Sequence, residues 1–101
     1  MSLHRRDAQI RALRSAVEQA IERCAALIKE IATLPQGERR TELITATREE
    51  TRRTTEQVRT AQLARPPVNL LEQAEYASFL NLIAEVDRML DELNTPAPPN
   101  A

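Results

Sequence analysis

The stretch from Ile10 to Leu34, IRALRSAVEQAIERCAALIKEIATL, decides the fold. Its apolar residues fall at Ile10, Leu13, Val17, Ala20, Cys24, Leu27, Ile31 and Leu34, in unbroken alternating steps of three and four. Steps of three and four follow the 3.6-residue turn of an α-helix and lay one apolar seam along it. Strands alternate with period two and cannot produce that spacing. Ile21, Ala25 and Ile28 widen the seam on one side. The residue before a proline avoids the helical region, so Leu34-Pro35 ends the helix near Thr33, and the single glycine, Gly37, suits the chain reversal. The first helix is expected over about 4–33.

The next segment, 38–64, keeps the helical step through Ile44, Thr47, Thr51, Thr54, Val58 and Ala61. Between Ala46 and Val58 it holds no apolar residue. Threonine loses rotamer freedom in a helix, so the centre of this helix is expected to be the weakest part of the fold. Arg65-Pro66-Pro67-Val68 forms the second connection. Asn69 stands three residues before Glu72, the spacing of an N-cap and its reciprocal partner. The third helix, 70–93, carries the seam Tyr76, Phe79, Ile83, Val86, Leu90 and Leu93, and Asn94 with Pro96 stops it. The Pro-rich remainder, 95–101, is expected to be a disordered tail, outside a single helical domain of residues 1–94.

Composition agrees. The chain has 101 residues, 42% apolar and 29% charged, a globular balance for one domain. Tyr76 and Phe79 are its only aromatics, so the core must be aliphatic. One glycine is too few for the tight turns of a β-fold, while six prolines separate the helical segments rather than interrupting them. Both connections are short, which favours antiparallel neighbours. The expected architecture is an all-α, antiparallel up-down-up three-helix bundle with coiled-coil-like packing.

Catalytic chemistry finds few residues to work with. His4 is the only histidine and lies at the start of the chain; Cys24 is the only cysteine and occupies a seam position. Neither builds a nucleophile–base pair, a disulfide or a zinc site. Glu49-Glu50 and Asp91-Glu92 are adjacent pairs, and neighbours on a helix point about 100° apart. The sequence therefore points to a protein that is no enzyme and needs no metal or cofactor. The lone cysteine and the absence of an apolar run of ~20 residues point to the cytoplasm, and thirteen arginines against one lysine suggest a bacterial coding genome.

Association is the function that remains. The third helix bears Leu71, Leu82 and Met89 as a second stripe beside its seam, and the polar second helix offers little to cover them. Contiguous apolar patches are rare on monomers. The expected interface is therefore the apolar face of helix three: Leu71, Tyr76, Phe79, Leu82, Ile83, Val86, Met89 and Leu90. Its occupant would be a second copy, giving a homo-oligomer, or a helical segment of another protein, as in an adaptor, a small chaperone or a regulator.

Charge divides unevenly: residues 1–34 and 35–68 each carry net +2, and residues 69–101 carry −5. Arg48, Arg52 and Arg59 line one face of helix two, and Asp87 and Asp91 edge the apolar arc of helix three, so these charges are expected to tune partner choice. The alternative is a nucleic-acid-associated regulator using the same arginine stripe. A net charge of −1 and the lack of an aromatic platform near it argue against nucleic acid. The acidic third helix argues against a membrane.

Overall fold

In the computed structural model, which describes residues 2–94 and side-chain surroundings from Arg5 onward, the chain folds into α1 (Ser2–Thr33), α2 (Glu38–Ala64) and α3 (Leu70–Asn94). Each helix packs against both others. Arg6 reaches Glu72 and Arg14 reaches Glu75, so α1 and α3 run parallel; Arg23 of α1 reaches Glu50, so α2 runs against them. The fold is the all-α up-down-up bundle. Helix ends fall within two residues of the expected ones, and the tail after Asn94 lies outside the described residues.

The seams turn inward as their spacing dictates. One apolar cluster joins Ile10, Leu13 and Val17 of α1, Val58 and Ala61 of α2, and Tyr76, Phe79 and Ile83 of α3. The other joins Cys24 and Ile31, Leu43 and Ile44, and Val86 and Leu90. Tyr76 meets Phe79 edge to face, ring centres 6.3 Å apart.

The waist between the clusters lies at the centre of α2. Its centre does not interrupt the helix, and Thr47, Thr51 and Thr54 are buried, not exposed. The physical reason lies in the hydroxyls. Thr47 donates to the Leu43 carbonyl at 2.7 Å and Thr54 to the Glu50 carbonyl at 2.8 Å, one turn back in the same helix. With the polar atom satisfied locally, each threonine offers its neighbours a methyl group, as valine would. Thr51 lies within reach of both the Arg48 carbonyl (2.9 Å) and an Asp87 carboxylate oxygen of α3 (2.8 Å), and its one proton can go to either. So α2 does cover the main seams of α1 and α3. Thr47→Val should leave the fold intact and raise the unfolding free energy by about 1 kcal/mol, since it removes a fully buried hydroxyl at constant shape. Thermal melts of the two proteins check it: a lower midpoint for the variant would show that the hydroxyl holds more than its own helix.

Both ends of the bundle are tied by arginines. At one end the Arg40 guanidinium donates to the carbonyls of Ile31, Leu34 and Leu93, each at 2.8 Å. The last carbonyls of a helix have no partner within it, and Arg40 supplies one for α1 and for α3 together. Gly37 starts α2 at φ 153°, and its carbonyl accepts from the Thr41 amide at 3.1 Å. That backbone disfavours a side chain.

At the other end Asn69 caps α3, accepting from the Glu72 amide at 2.9 Å. Glu72 completes the box one residue early, accepting from the Val68 amide at 3.0 Å instead of that of Asn69. Arg6 donates to both Glu72 oxygens, at 2.8 and 2.9 Å, and to the Pro66 carbonyl. The Arg6 hydrogen bond first, and the Val68 amide second, hold the Glu72 carboxyl below its usual range.

Candidate functional site

The eight residues expected to anchor a partner separate into two groups. Tyr76, Phe79, Ile83, Val86 and Leu90 are all buried within the bundle, none more than 3% exposed. They are core: Tyr76, Phe79 and Ile83 pack in one cluster with Val58 and Ala61 of α2, and Val86 and Leu90 in the other with Leu43 and Ile44. The other three lie outward: Leu71 at 73% exposed, Leu82 at 43%, and Met89 half-buried. At 100° per residue these three stand within about 20° of one line, a quarter-turn from the buried seam.

That line runs beside α1. Arg14 binds Glu75 across the α1–α3 boundary and Arg40 joins Ile31 to Leu93 at the far end, a register that sets Ile21 near the level of Leu82 and Ile28 near that of Met89. Ile21 and Ile28 are themselves only partly buried, packed onto the core from its edge. The residues that widen the α1 seam and the second stripe of α3 therefore share one long furrow. Its upper end opens at a cavity of about 310 Å³ lined by Ile10, Arg14, Leu71 and Glu75 among others. The furrow was half legible in the sequence: both stripes could be read, but not that parallel packing would set them side by side.

The charges chosen as specificity determinants are largely engaged inside the chain. Arg48 binds Asp91 at 2.5 Å, and Asp87 accepts from Thr51, so both acids of α3 are met by α2. Arg52 lies between Glu49 and Glu56 of its own helix, at 2.5 and 2.6 Å, and the Glu49 bond raises its already high pKa. Arg59 is exposed and has no ion pair among the described residues. The arginine stripe is thus mostly spent on carboxylates. On the outer face of α3, Arg88 is bracketed by Glu85 and Glu92, and it lowers the pKa of Glu85.

Cys24 is 1% exposed, and burial pushes its thiol up to about 11. A thiol that stays protonated and covered is a poor nucleophile. In the native protein it should react with a disulfide reagent at pH 8 at least about a hundredfold more slowly than in urea. Equal rates would show that it is accessible. The side chain of His4 lies outside the described residues. Among those residues no cluster of three or more histidine, cysteine, aspartate or glutamate side chains could hold a metal ion, and no helix is long and apolar enough to cross a membrane.

No family model, curated protein or solved structure matches the chain.

Sequence reasoning missed the clamps made by Arg6 and Arg40, and it missed a group of exposed aliphatics. Leu63 (84% exposed), Val68 (66%) and Leu70 (82%) stand with Leu71 around the α2–α3 link. No periodic pattern marks them, because they straddle a helix end, a loop and a helix start.

Proposed function

We infer that this chain is a non-enzymatic assembly protein, adaptor-like or chaperone-like, that receives an apolar helix in the furrow between α1 and α3. The helix comes from a second copy or from another protein. What carries the inference is the alignment of Leu82 and Met89 with Ile21 and Ile28 along two parallel helices, a surface that a fourth helix would cover. Leaving such side chains in water forgoes roughly 1.5–3 kcal/mol each. The arginine stripe supports nucleic-acid binding less well, since carboxylates already occupy Arg48 and Arg52.

Light scattering tests the first arm. The wild type is expected at a multiple of its 11.4 kDa mass, and Leu82→Glu or Met89→Glu should return it to one chain with helicity unchanged. If the wild type is monomeric, self-association is excluded. The inference then stands only if Leu82→Glu releases a helical protein that co-purifies with the wild type.

A further inference from the structure

The end of the bundle opposite Arg40 is built from the start of α1, the end of α2, the 65–69 link and the start of α3. Four large aliphatic side chains, Leu63, Val68, Leu70 and Leu71, are exposed there, within nine residues of chain. Of the large hydrophobics exposed among the described residues, only Leu82 lies elsewhere.

The same end is basic. Arg5, Arg11, Arg59 and Arg65 make no ion pair among the described residues, whereas Arg39, Arg48 and Arg88 toward the far end are all bound to carboxylates. Glu72 and Glu75 are neutralised by Arg6 and Arg14, which leaves Asp7 as the local acid without a cation.

The link is also prepared to leave water. Pro66 and Pro67 have no N–H. The Arg65 carbonyl accepts from the Tyr76 hydroxyl at 3.1 Å, and the Pro66 carbonyl from Arg6. The Val68 amide is held by Glu72, and the Arg65 amide by the Ala61 carbonyl at 2.8 Å. Most of the polar backbone there is satisfied internally, which lowers the cost of moving it into a less polar medium.

We propose that this end docks onto an anionic lipid surface, with Leu63, Val68, Leu70 and Leu71 entering the headgroup boundary and the unpaired arginines meeting lipid phosphates. Exposed aliphatic side chains at the same end as the exposed, unpaired Arg5, Arg11 and Arg59 match that boundary, where apolar burial and attraction to anionic lipid add. A protein partner fits less well. A second copy would bring the same positive charge. The acidic side of α3 that lipid would repel runs along the bundle, and this surface is its end. Leu71 belongs to both surfaces, and beyond it the furrow between α1 and α3 stays free for a helix along Leu82 and Met89.

Flotation of the full chain with vesicles decides it. Binding is expected to vesicles of phosphatidylcholine with about one-third phosphatidylserine, and little to phosphatidylcholine alone. Arg59→Glu should weaken binding several-fold, as should raising the salt, because each surface cation contributes about fivefold. Leu70→Asp places an acid at the first turn of α3, where the helix tolerates it, and should abolish flotation with an unchanged circular dichroism spectrum. Leu82→Glu should float as well as the wild type, which separates this proposal from the furrow. No flotation on anionic vesicles in low salt would overturn the proposal. So would binding that Leu70→Asp leaves untouched, or salt-sensitive binding to a DNA duplex in place of vesicles, either of which would make the end merely basic.

Discussion

Ile83→Ala is expected to lower the unfolding free energy by about 3 kcal/mol, and Leu82→Ala, one residue away, by well under 1. Ile83 is 2% exposed and shares an apolar cluster with Val17 of α1 and Val58 of α2, so truncation leaves a cavity that three helices cannot close without shifting. Leu82 is 43% exposed, and its truncation mostly returns surface that water already touched. A domain of this size has ~5–15 kcal/mol of stability in all, so the first change removes a large share. Urea titrations followed by circular dichroism give both numbers. Equal losses at the two positions would mean that the boundary between core and furrow is drawn in the wrong place. The comparison also protects any association experiment. A variant at Tyr76, Phe79, Ile83, Val86 or Leu90 that loses a partner would lose it by unfolding, whereas Leu71, Leu82 and Met89 can be changed on an intact bundle.

The second large effect belongs to Arg40. Arg40→Ala is expected to cost about 3 kcal/mol, because it removes the guanidinium donor from the carbonyls of Leu34 and Leu93 and leaves that of Ile31 with the Leu34 amide alone. Arg40→Lys should recover only part of that. Nη1 serves the carbonyls of Ile31 in α1 and Leu34 just after it while Nη2 serves Leu93 of α3, and a single ammonium cannot span both directions. Arg39→Ala is the contrast: its contacts to Glu30 and Glu42 are 3.9 Å long and exposed, so little change is expected. Denaturant midpoints for the three variants check the order Arg40→Ala, Arg40→Lys, Arg39→Ala from least to most stable. If Arg39 and Arg40 proved equivalent, the carbonyl clamp would be ornamental.

The threonine run shows where a reading of side-chain type falls short. Thr47, Thr51 and Thr54 keep the helical step through the centre of α2, and their position was right. Their polarity suggested a gap in the core, because a hydroxyl counts as hydrophilic until its partner is known. The partner is the carbonyl one turn back, available only once the helix exists and buried only once α1 and α3 arrive. The supposed shortage of apolar cover in α2 therefore vanishes along the main seams. What it was invoked to explain, the outward stripe of α3, survives for a different reason. Three helices enclose a narrow core, and an apolar arc as wide as that of α3 overhangs it.

Sequence alone determined that this chain makes three helices, where each begins and ends, and which line of each turns inward, because a 3.6-residue period, two proline-bearing breaks and an Asn69–Glu72 cap are local properties. Only the tertiary structure decided how far around each helix burial extends, that Ile21 and Ile28 come level with Leu82 and Met89, and that Arg6 and Arg40 close the two ends. Those outcomes depend on register between segments some sixty residues apart, which periodicity within one helix does not encode.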